Sequence, residues 1–338
     1  MLWLTLLTSS HRAFAQDVQP ATAQNDTWNS TFTLNDDQIS RAGLDSVTAE
    51  NVNIAVRFEQ TNWAGSSAGN DTFYTPPANS STLPPGSLLS VEHYTNTTFY
   101  TLPPNTAMSR ILFQSETANG TAVPASAYVL WPWMPRTDSE TGRLAVVGWA
   151  HGTSGTFGEC APSHIRNLWY QYSAPYVLAL QGYVVVAPDY AGLGVTHNAH
   201  AAASANDLFH SVKAAQDAFP ELSSRFVLMG HSQGGQAAWA ASERQIRRPV
   251  DGHLGTIAGS PVTDVESQLQ LLPALAALVA TLDAGQRIWL DWIADRFANK
   301  EIACGCVSRN YSSFRPQDTY QANGNYYLEY ATQRYQIA

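Results

Sequence analysis

Apolar residues fall in short runs spaced along residues 89–258, and a longer helical-period stretch follows them. Leu89–Tyr94, Arg110–Gln114 and Ala125–Trp131 have strand character, and Leu144–Trp149 is apolar enough to predict a central strand. Tyr183–Ala187 (Tyr-Val-Val-Val-Ala) shows no alternation, as a strand covered on both faces should. Arg225–Met229 and Gly252–Ala258 predict two more strands. Helical periods fall between them, at Tyr176–Gln181, at Asn206–Phe219 before Pro220, and in the Ala-rich Gln233–Arg244. Strands alternating with helices predict an α/β fold with a mostly parallel sheet and helices on both faces.

The flanks differ in character. Residues 16–88 are rich in Ser, Thr, Asn and Pro, with breakers at Pro76-Pro77 and Pro84-Pro85, and predict an extended arm. From Val265 the pattern turns strongly apolar (Leu269, Leu271, Leu272, Leu275, Leu278, Val279, Leu282), broken at Pro273 and followed by a second helix at Ile288–Phe297. Residues 265–338 are expected to form a helical cap packed on a core of residues 89–264. The sharper alternative is a lid that opens at a lipid surface.

Candidate chemistry sits at Gly230-His231-Ser232-Gln233-Gly234, between a predicted strand and a predicted helix. That context is the nucleophile elbow, a sharp turn with serine at its apex and small residues where backbones meet. Serine needs a histidine oriented by a carboxylate, expected in the order Ser, acid, His. His253 is the one histidine after Ser232. His253 with Asp264 is a weak fallback pair, because His253 opens its strand at the wrong end of the sheet; nothing local marks His197 or His200 as a base. A tetrahedral intermediate needs two N–H donors. Gln233 is expected to give one, and Gly152 or Thr153, in the Trp149–Gly155 loop after the central strand, the other. Asp189 precedes Ser232 and is expected to be a turn residue bonding its own backbone.

Composition sets the compartment. A net charge of −9 argues against nucleic acid and anionic membranes. Leu2–Leu7 followed by Ala13-Phe14-Ala15 predicts a signal peptide over residues 1–15. Asn25, Asn29, Asn70, Asn79, Asn96, Asn119 and Asn310 each open an Asn-x-Ser/Thr sequon, as suits a secreted, glycosylated chain. No apolar run is long enough for a stable membrane span. Cys160, Cys304 and Cys306 leave an odd thiol, with Cys160 expected to bridge Cys304 or Cys306. A metal site joining Cys160 to His151 or His164 has no supporting ligand spacing, so no metal is expected.

Three segments in order, His151-Gly152-Thr153 with Cys160-Ala161-Pro162-Ser163, then Gly182–Gly194, then Gly230–Gly235, resemble the fungal secretory lipase family, the lipase-A-like α/β-hydrolases. The resemblance covers about residues 85–338. It implies an α/β-hydrolase fold, Ser232 as nucleophile, an oxyanion hole from Gln233 and the Gly152/Thr153 loop, and a disulfide from the Cys160 motif to the cap. It implies an esterase or lipase acting on small-molecule or lipid esters; a secreted monomer with no cofactor is expected. Family members carry the acid and histidine beyond the cap, so the chain is expected to be a C-terminally shortened form. A secreted binding protein on a catalytically incomplete hydrolase scaffold is the alternative.

Overall fold

The computed structural model describes residues 33–78, 80–195, 204–262, 282 and 285–301. Two units divide after Ser67. In the first, α1 (Asp36–Ala42) and α2 (Ser46–Thr61) are helices where the composition pointed to an extended arm. Their ends explain them. Asn35 and Gln38 form a reciprocal capping box, Gly43 closes α1 in the left-handed region, and Asp45 caps α2 through the Thr48 N–H.

The second unit is built on a seven-stranded sheet of β1 (Leu88–Glu92), β2 (Ala107–Glu116), β3 (Ala122–Trp131), β4 (Leu144–Ala150), β5 (Val184–Pro188), β6 (Leu222–His231) and β7 (His253–Gly259), in spatial order β1-β2-β3-β5-β4-β6-β7. β5, β4, β6 and β7 pair in parallel, and β1, β2 and β3 extend the sheet by antiparallel pairs. Only β1 and β3 therefore run against the common direction, so the expected mostly parallel sheet is found. The crossover that places β5 before β4, with a helix after β6, is the α/β-hydrolase arrangement.

Helices cover both faces, as expected. The strand period of two sends Val146, Val184, Val186 and Leu228 to one face, packed with Leu208, Phe209 and Val212 of α4 (Ser204–Ala218) and Ala237 and Ala241 of α5 (Gln233–Arg247). Val147, Val185, Val227 and Met229 point the other way, toward Leu178 of α3 (Pro175–Leu180) and Trp289, Ile293 and Phe297 of α6 (Gln286–Phe297). The helix expected at Ile288–Phe297 therefore exists, but it lies on the sheet as part of the second core layer. Apart from Leu282 and the residues flanking this helix within 285–301, the expected cap falls outside the described residues, as does the expected signal peptide.

Candidate active site

All four parallel strands deliver their carboxyl ends to one edge, the side where open α/β sheets place their ligands. β6 ends there at His231, and Ser232 follows with φ 59° and ψ −120°, a strained conformation for a residue with a side chain. The Ser232 N–H donates to Gly259 O at 3.0 Å, and its carbonyl accepts the first helical bond from the Gln236 N–H. The turn is tight enough to explain its glycines. A methyl group at Gly230 would meet Gly234 O at 2.0 Å, and one at Gly234 would meet Ala150 O at 1.9 Å. The elbow expected from the sequence is thus present in geometry, with Ser232 half-buried at its apex.

Gln233 opens α5, where first-turn N–H groups have no partner inside the helix. Gly152 faces the serine directly: a methyl group there would meet the Ser232 Cβ at 3.2 Å and the Tyr170 hydroxyl at 2.2 Å. Gly152 is buried and Thr153 exposed. His151 clamps this loop. Its buried ring stacks on Tyr190 at 4.2 Å, its Nδ1–H reaches Gly152 O at 2.6 Å, and its own carbonyl accepts from the Tyr190 hydroxyl at 2.7 Å. Burial lowers its pKa to about 4, so at neutral pH it is an uncharged donor. Because a trans peptide sets N–H opposite C=O, tying down Gly152 O also fixes the direction of the Thr153 N–H. No metal-ligating group of three side chains gathers among the described residues.

Asp189 differs from expectation. Its carboxylate bonds two distant segments instead of its own turn. Oδ1 accepts the Ser163 N–H at 2.7 Å, and Oδ2 accepts the Ser163 and Ser126 hydroxyls, each at 2.6 Å. Burial raises its pKa to about 6 against the pull of those three bonds. Asp189 therefore anchors the segment after Cys160 to the sheet.

Of the fallback pair, His253 pairs in register with Phe226 and packs its ring against Phe209 and Phe226. It sits at the strand's opposite end from Ser232, as expected, and burial lowers its pKa to about 4. Asp264, His197, His200, Cys304 and Cys306 lie outside the described residues. So do Asn25, Asn29, Asn79 and Asn310, whereas Asn70, Asn96 and Asn119 are exposed. In two of these the sequon folds on itself: Asn96 Oδ1 accepts from the Thr98 hydroxyl at 2.7 Å and Asn119 Oδ1 from that of Thr121 at 2.9 Å.

Tyr170 was not singled out from the sequence, since it falls in Arg166–Ser173, a stretch without a motif. Its hydroxyl lies 2.8 Å from His231 Nδ1, and its ring meets Trp149 edge-on at 5.3 Å.

The fold and the elbow together define an α/β-hydrolase. Residues 163–274, which include Ser232, match the secretory lipase family, and over that stretch the resemblance read in the sequence is borne out. Among solved structures the chain is similar to Candida antarctica lipase A in its closed state, with 20% identity over 59% of this chain and 47% of that one and a TM-score of 0.45. It is also similar to the rice cell wall degrading esterase LipA from Xanthomonas oryzae, with 19% identity, 59% and 60% coverage and a TM-score of 0.43. The chain thus spans about half the length of these proteins. No curated protein matches it significantly. Among the described residues no helix is long and apolar enough to cross a membrane.

Proposed function

We propose that this protein is a secreted, glycosylated serine hydrolase that cleaves carboxylic esters, either acylglycerols or smaller acyl esters, through an acyl-enzyme on Ser232. The observation that carries the reading is Ser232 held at positive φ on the elbow, opposite Gly152 and at the start of α5. In this mechanism the Ser232 hydroxyl attacks the ester carbonyl. N–H groups of Gln233 and of the Gly152–Thr153 segment hold the oxyanion, the alcohol leaves, and water releases the acid. The general base is a histidine oriented by a carboxylate, which the resemblance to secretory lipases puts further along the chain than the cap. Cys160 pairs with Cys304 or Cys306, and contact with a lipid surface, where it occurs, is peripheral.

A fluorophosphonate probe with p-nitrophenyl esters as substrates tests this, because the probe labels only an activated serine. Ser232→Ala should abolish labelling and lower turnover by about 10⁶-fold. Retention of more than about a thousandth of the parental rate would overturn the assignment. Absence of labelling in the parent would favour the binding-protein alternative.

A further inference from the structure

The Tyr170 hydroxyl crowds the same small space as the Ser232 Cβ, with Gly152 closing it from the third side. In an acyl-transfer site, that gap between nucleophile and oxyanion loop is where the ester carbonyl must enter. Gly152 fits this use, since any side chain there would collide with both neighbours.

The segment holding the hydroxyl is strained and anchored. Leu168, Trp169 and Gln171 all have positive φ, at 51°, 69° and 45°, an unusual concentration for residues with side chains. Such strain persists only where the surroundings fix it. Here Leu168 is fully buried, Ser163 is bound by Asp189, and the Tyr170 ring is wedged between Trp149 and His231. Tyr170 is thereby placed by its surroundings and not by local preference. Burial keeps its phenol neutral, with a pKa near 12.

We propose that Tyr170 is a catalytic residue, a third and side-chain donor to the oxyanion, oriented through His231 Nδ1. This rests on Ser232 being the nucleophile. When Ser232 Oγ bonds to the carbonyl carbon, the π pair moves to the carbonyl oxygen, and the Tyr170 O–H donates a hydrogen bond to that charge. The Ser232 proton goes to the general base, which passes it to the leaving oxygen; the phenol keeps its own, and the pair returns as the alcohol is expelled. In the His231 tautomer whose Nδ1–H donates to the phenolic oxygen, the Tyr170 O–H can turn toward substrate.

The test is Tyr170→Phe in the full-length protein, beside Ser232→Ala, read as kcat and KM for a p-nitrophenyl ester and as affinity for an aryl boronate that mimics the tetrahedral state. Removal of one oxyanion donor predicts a kcat loss of about 10²-fold with KM within threefold, and a matching loss of boronate affinity. A kcat loss below tenfold, or unchanged boronate binding, overturns the proposal. Should Tyr170→Phe melt well below the parent, His231→Leu, which removes the orienting nitrogen, is judged by the same thresholds. If Ser232→Ala stays active, the serine reading itself fails. If that variant is dead while Tyr170→Phe is unaffected, only the role of Tyr170 fails.

Discussion

Asp189→Asn isolates the energetics of the buried anchor beneath the site. The parent carboxyl is fully buried, and its pKa rises from 3.8 to about 6 on folding. An acid whose pKa is raised in the folded state binds more protons there than in the unfolded chain. It therefore stabilises most below the unfolded value, and that contribution is lost as pH rises through the folded one. The full shift corresponds to about 3 kcal/mol. Between about pH 4.5 and about pH 7.5 the portion realised is about 2 kcal/mol. Asparagine has no such ionisation, keeps an acceptor for the Ser163 N–H, and offers its amide to two hydroxyls that can turn to accept. The groups common to both proteins cancel in the comparison. Urea unfolding of both at the two pH values should therefore show the variant gaining about 2 kcal/mol relative to the parent at the higher pH. A difference between the proteins constant within about 0.5 kcal/mol would refute the reasoning, because Asp189 would then titrate alike in both states.

Gly234→Ala drives a methyl group into Ala150 O, which is backbone and cannot yield. It should cost more than about 3 kcal/mol or prevent soluble expression, with melting temperature as the measure. His151→Phe keeps the stack on Tyr190 but releases the Gly152 carbonyl. Steady-state kinetics should show a kcat drop of about tenfold, and an unchanged kcat would rule out the clamp. His253→Phe should leave fluorophosphonate labelling of Ser232 intact, since its ring packs with Phe209 and Phe226; lost labelling in a folded variant would make it a base after all. Peptide mapping without reductant should find Cys160 joined to Cys304 or Cys306, and an alkylated Cys160 thiol would exclude the bridge.

Much of the sheet was legible because its central strands are covered on both faces. The runs at Leu144 and Tyr183 contain hardly any polar residue, and the glycines around Ser232 have no cheaper explanation than backbone contact. The helices at Asp36–Thr61 were not read. They bury little, so no apolar stripe marks them, although the Asn35/Gln38 box and Asp45 were there as capping signals. Asp189 looked like a turn residue because its true partners, Ser126 and Ser163, are far away in the chain and carry no sign of each other. Tyr170 owes its place to the same long-range anchoring. Position near a nucleophile is a tertiary fact, and no local pattern encodes it.

The strand order also governs when the molecule can fold. β4 is an interior strand of the sheet, yet neither of its neighbours, β5 and β6, exists when it is synthesised. β3 likewise finds β2 at once but waits for β5 on its other side. Until Leu222–His231 emerges, Val146, Val147 and Trp149 have nothing to bury against on one edge, and the emerging chain has no closed core. Late, non-local pairing of this kind slows folding and leaves apolar strand exposed to holding factors.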